Sequence, residues 1–213
     1  MSGLEDSIEN AKETVSDTLE VSSFSKNLLR GTFFAIVTLL VLFSLTAFYW
    51  DHEPDMFDVG QVTDHQISTL KTSGVTGSTT VATMITMADV LLYKRGGYLH
   101  NDIILPSLVM DNVPNWEFGV LVQMRDMART LRNNLSRSQS QSTEDTDLVK
   151  AEGQYYFDNN SWMLPETESE YQKGTDALKQ YMFRLGDQQQ QGAQFYARAD
   201  NLRTWLSEVE TRL

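Results

Sequence analysis

Between Gly31 and Tyr49 the chain runs for nineteen residues without a charge, GTFFAIVTLLVLFSLTAFY. As a helix rising 1.5 Å per residue, this stretch with Trp50 reaches about 30 Å, the depth of a bilayer's hydrocarbon core. A core helix of a soluble domain is usually shorter and keeps a polar stripe, and this segment keeps none. Tyr49 and Trp50 close it, where amphipathic rings settle at a membrane interface. A cleaved signal peptide is the rival reading. The apolar stretch is too long for one, and Leu45 occupies the position where cleavage needs a small residue. Residues 31–50 are therefore expected to form an uncleaved transmembrane helix, with the bilayer as partner of Gly31–Tyr49.

The flanking charges orient this span. Lys12, Lys26 and Arg30 precede it, whereas the first basic residue after it is Lys71, behind Asp51, Glu53, Asp55, Asp58 and Asp64. Positive charge near a span stays in the cytoplasm. Residues 1–30 are expected to form a cytoplasmic tail, and the remainder to lie outside. In a bacterium that means an inner-membrane protein with a periplasmic domain. The whole chain carries a net charge of −12, which repels nucleic-acid phosphates and excludes nucleic acid as a natural partner. The same acidity keeps most of the outer surface away from anionic lipid head groups. There is no cysteine, which removes disulfides, thiolate metal sites and cysteine nucleophiles.

Periodicity predicts an all-α chain, a single N-terminal transmembrane helix followed by an elongated helical bundle. In the tail, Leu4, Ile8, Ala11, Val15 and Leu19 make a thin apolar stripe, read either as a marginal helix or as a docking or self-association seam. Residues 51–78 form an acidic stalk and a Gly/Ser/Thr linker, with room for a short helix around Ile67 and Leu70. The helical soluble domain, 79–213, opens with a helix over Thr79–Lys94, where Val81, Met84, Ile85, Ala88, Leu91 and Leu92 follow helical spacing and Gly96-Gly97 ends it. Ile103 to Met110 reads as a short buried piece, a helical turn or an extended segment. Asn115 is expected to cap a helix reaching Leu135. A serine–glutamine tract from Ser136 reads as an exposed connection. An aromatic cluster follows it, Tyr155, Tyr156, Phe157 and Trp162. Thr167-x-x-Glu170 has the form of a capping box and starts another helix, which Gly186 breaks. A last helix from about Gln188 carries Phe195, Leu202, Trp205, Leu206 and Val209 and is expected to fold back on its predecessor as a hairpin. The apolar pattern is still running at Leu213, so the expectation is that the domain is truncated there.

Three strings, YKRGGYLHNDIILP from Tyr93, NVPNWEFGVLV from Asn112 and RSQSQS from Arg137, resemble a bacterial family of unknown function, domain-of-unknown-function family 2333. The resemblance covers most of the chain after the span. It implies a single-pass inner-membrane protein and supplies no catalytic residues.

Few residues carry a chemical pattern. His52, Asp55 and His65 are of metal-ligating types in the acidic stalk, but no glycine-fixed loop or helical spacing organises them, and a solvated stalk is the plainer reading. His100 and Asp102, after the double glycine, could act as a base with its orienting partner. No nucleophile motif accompanies them, and a structural histidine is the plainer reading. Arg125, Arg129 and Arg132 share one helix strip and could grip an acidic partner, or pair with acids such as Asp126. No cofactor motif is present. The reading is an uncharacterised membrane-anchored envelope protein, a non-catalytic interaction or scaffold module for other envelope proteins, with homo-oligomerisation left open. The alternatives are an enzyme acting on envelope material through His100 and Asp102, and a ligand-sensing periplasmic bundle.

Overall fold

The computed structural model describes residues 2–103, 105–137, 143–187 and 192–212 and, before Lys26, the side chains of Glu9 and Asn10 alone. The chain divides into two compact units, Met1–Thr46 and Ala47–Leu213. Among the described residues all regular structure is helical, as the periodicity predicts.

Helix α1 runs unbroken over Ser2–Trp50. Within it, Lys26–Trp50 has a mean hydropathy of 2.2, is nowhere buried, and is long and apolar enough to cross a membrane. The hydroxyls inside the apolar stretch are satisfied by the helix itself: Thr32 donates to the Leu28 carbonyl at 3.0 Å and Thr46 to the Leu42 carbonyl at 2.9 Å. Such back-bonding removes a polar group that hydrocarbon would leave unpaired. The side chains of Leu4, Ile8, Ala11, Val15 and Leu19 lie outside the described residues.

In the second unit, α2 (Val59–Leu70) starts at Asp58, whose carboxylate caps the Gln61 amide at 2.8 Å, and ends at Lys71 in the left-handed conformation. The expected linker is thus largely helix. It joins the domain because Ile67 and Leu70 pack on the core while Thr63 and Gln66 are buried. Helix α3 (Ser78–Tyr93) buries Val81, Met84, Ile85, Ala88, Leu91 and Leu92, the row that its spacing predicts. Helices α4 (Asn112–Thr130), α5 (Thr146–Tyr155) and α6 (Thr167–Gly186) complete the bundle, with α6 packed on both α3 and α5. The close approach of α5 and α6 uses Gly174, where a Cβ would stand 3.3 Å from Tyr155 Cζ. Tyr98, Tyr171 and Tyr155 form a chain of buried rings with centroids 5.8 and 6.2 Å apart.

Several local expectations change. The Asn115 cap is not used. Helix α4 begins at Asn112, and Pro114 falls in its first turn, where no amide donor is needed. The helix ends in one π turn, Leu131–Leu135. Thr167 does not cap α6. Its hydroxyl instead donates to the carbonyls of Asp158 and Ser161 at 2.8 and 2.9 Å, tying the preceding loop to the helix. The exposed connection after Leu135 contains the unforeseen α5, whose start is capped by Asp145; residues 138–142 of the serine–glutamine tract lie outside the described residues. Ile103 to Met110 is not buried. Ser107–Val109 is a 3-10 turn, and Ile103, Leu105, Leu108 and Val109 are all more than half exposed. The last helix, α7 (Ala199–Arg212), starts later than expected and packs on α4.

Leu178 on α6 is fully buried within this core. Leu178→Ala is expected to lower the unfolding free energy by about 2–5 kcal/mol, read as a shifted midpoint in chemical denaturation followed by helicity.

Candidate functional site

The most polar buried point of the domain is a carboxylate. Helix α4 buries the row Val113, Glu117, Leu121, and at four-residue spacing Glu117 has no way to avoid the core. Its side chain is fully buried, and its partner Lys94, at the end of α3, is 3% exposed. The Lys94 ammonium donates both to Glu117 and to the Gly97 carbonyl. Glu117 also accepts the Leu99 amide at 2.9 Å and the His100 amide at 2.7 Å. One carboxylate therefore gathers an ammonium and two backbone donors and closes the loop after α3. Gly96 and Gly97 make that loop possible at φ +84° and +75°. A side chain at Gly96 would also meet the Trp50 ring, with the new Cβ 2.9 Å from Cγ.

Burial pushes the Glu117 carboxyl above its ordinary value, against the pull of Lys94 and the two amides. Burial likewise pushes the Lys94 ammonium down, against Glu117. Removing two charges from water is repaid only by such complete partnering.

His100 and Asp102 are neighbours in this loop, but no hydrogen bond joins their side chains. The His100 Nδ1 lies 3.1 Å from the Pro114 carbonyl, and its ring stacks on Phe118 with centroids 5.6 Å apart. Burial raises the Asp102 carboxyl, and Glu168 adds to the rise while Lys94 opposes it. The His100 ring is thus oriented by a backbone carbonyl and an aromatic face.

The arginine strip on α4 is turned inward. Arg125 donates to the Tyr155 carbonyl at 2.6 Å and the Phe157 carbonyl at 2.9 Å, capping the end of α5. Arg129 and Arg132 converge on Glu152 at 3.5 and 2.8 Å, and Arg129 also lies over the Tyr156 ring. Asp126, expected to pair with this strip, instead holds Arg212 of α7. In the stalk, His52 and Asp55 line one cleft with Asp89 and Tyr93, and His65 sits on α2. Among the described residues no group of three or more histidines and acids stands close enough to hold a metal ion.

Lys94 and Glu117 as a pair were missed at the level of sequence. The signal was present, an acid inside the apolar row Val113-x-x-x-Glu117-x-x-x-Leu121. The geometry defines a helical domain with a helix suited to crossing a membrane, whose buried charges fasten loops and helix ends to one another. The chain belongs to the family described as "Uncharacterized protein conserved in bacteria (DUF2333)", which matches over residues 23–213. No curated protein and no solved structure matches it.

Lys94→Met strands the Glu117 carboxylate and is expected to destabilise the domain by about 3–5 kcal/mol in chemical denaturation. A pH series carries a second signature. Because the folded Glu117 holds its proton more tightly than the unfolded one, stability should fall as pH rises from the ordinary glutamate range through the raised value, by at most about 1.4 kcal/mol per pH unit. Glu117→Gln should remove that slope.

Proposed function

We propose that this protein is a membrane-anchored, non-catalytic interaction module of the bacterial envelope, which works by docking other proteins. Residues 1–30 lie in the cytoplasm, Gly31–Tyr49 cross the inner membrane, and the domain from Asp51 onward stands in the periplasm. The charge distribution around the span supports this placement.

The observation that carries the docking role is an exposed apolar surface made by two loops. Ile103, Leu105, Leu108 and Val109 are exposed on one, and Trp162, Met163 and Leu164 on the other, with Leu164 at 92%. The loops are stitched together: Asn101 Nδ2 donates to the Ser161 carbonyl at 3.0 Å, and the Tyr98 hydroxyl to the Asn159 carbonyl at 3.4 Å. Apolar groups gathered in this way mark interaction surfaces. A protein suits the surface better than a lipid bilayer does, because Asp102, Asp111, Asp158, Glu166 and Glu168 belong to the same loops and their flanks and repel anionic head groups. Every buried charge near the surface has a structural task, which also favours binding over catalysis.

A photo-crosslinking residue at Leu105 or Leu164, in full-length protein in its native membrane, is expected to capture other proteins. The paired substitutions Leu105→Asp and Leu164→Asp should reduce that capture at least tenfold while leaving helicity unchanged. Crosslinks to lipid alone, with no protein adduct, would show the reading to be wrong.

A further inference from the structure

The largest cavity of the domain has no part in the loop surface. It lies between α3, α4 and α7 and measures about 550 Å³, inside the range of roughly 300–1,000 Å³ that small-molecule sites occupy. Its wall is apolar and deformable, built from Met84, Met87, Met124, Met127, Phe195 and Trp205. Thioether side chains adapt to unbranched chains better than branched aliphatics do.

Two features set it apart from loose packing. Helix α7 buries no residue of its own, and polar contacts fasten it at the rim. Arg212 reaches Asp126 at 2.5 and 3.0 Å, and Asn201 reaches the Asn134 carbonyl at 2.7 Å. The lid is thereby held in place while the space beneath it stays open. The second feature is the Trp205 Nε1, which is enclosed and has no hydrogen-bond partner. A buried donor without an acceptor is rare in native proteins and calls for an explanation. Arg198 lines the same cavity, its guanidinium 5.0 Å from the Tyr196 ring centroid, and no carboxylate among the described residues pairs with it. An apolar chamber thus carries one unanswered N–H and one guanidinium without a counter-ion.

We propose that this cavity binds an acyl chain through its carboxyl end, with the chain among the four methionines and the carboxyl oxygens taken by Trp205 Nε1 and Arg198. A free long-chain fatty acid and an acyl ester of a membrane lipid share this chemistry. The site uses none of the loop residues assigned to protein docking, so either can fail without the other.

The test uses the full chain in phosphatidylcholine nanodiscs, titrated with 9,10-dibromostearate, whose bromines quench nearby indoles. Subtracting the same titration of Trp205→Phe isolates Trp205 from the other tryptophans. Saturable quenching of the Trp205 share is expected, with palmitate competing and hexadecane competing at least tenfold more weakly. Arg198→Gln, a substitution outside the packed core, should weaken palmitate competition roughly tenfold and provides the check should Trp205→Phe disturb folding. Discs made with dibrominated phosphatidylcholine separate the two sources: quenching of Trp205 there, without a further effect of added acid, assigns the site to bilayer lipid. Equal quenching of wild type and Trp205→Phe by both probes, or hexadecane competing as well as palmitate, would overturn the proposal.

Discussion

A single buried carboxylate organises the polar side of this domain. Glu117 stands where the spacing of α4 demands an apolar residue, and it is tolerated because Lys94 and the amides of Leu99 and His100 surround it. Fully buried charges are rare unless paired. Here the pairing joins the end of α3, the glycine turn after it and the first turns of α4. Everything carried by that turn inherits its position from the pair, including the stacking of His100 on Phe118 and the bonds from Tyr98 and Asn101 to the 157–166 loop.

The same economy recurs across the domain and bears on function. Arg125 closes the end of α5, Glu152 gathers Arg129 and Arg132, and Arg184 binds Asp145 and Asp147 at the start of α5. Groups that sequence chemistry offers as reactive or partner-seeking are therefore engaged with the chain's own backbone and acids. What faces solvent in quantity is apolar, in the paired loops and along α7, where Leu202 and Leu206 are about half exposed. A domain built this way is equipped to bind, and family membership in bacteria sets the setting in which it does so.

The span, the all-helical class, and the core row of α3 were legible because strong periodicity or its complete absence reports burial directly. The chain after Leu135 was harder. Helix α5 is short and opens with Thr146, Asp147 and Lys150 among its apolar positions, so its pattern drowned in the polar tract before it. The capping box at Thr167 was a sound local signal overridden by tertiary bonds to the Asp158 and Ser161 carbonyls. The apolar run at Ile103 was taken for core because hydrophobicity alone does not say which side of a loop faces water. His100 stood beside Asp102 in sequence, yet its ring bonds to a carbonyl fourteen residues away. Side-chain partners across helices have no signature in a single sequence, which is why the Lys94–Glu117 pair and the cavity under α7 emerge only from the fold.

The account rests most heavily on Glu117 closing the loop after α3. Amide hydrogen exchange of Leu99 and His100, in the full chain reconstituted in a bilayer, addresses that directly. The two amides are expected to exchange as slowly as those of the core helices and to lose this protection in Glu117→Ala. Exchange in the unaltered protein at the rate of an exposed loop would contradict it.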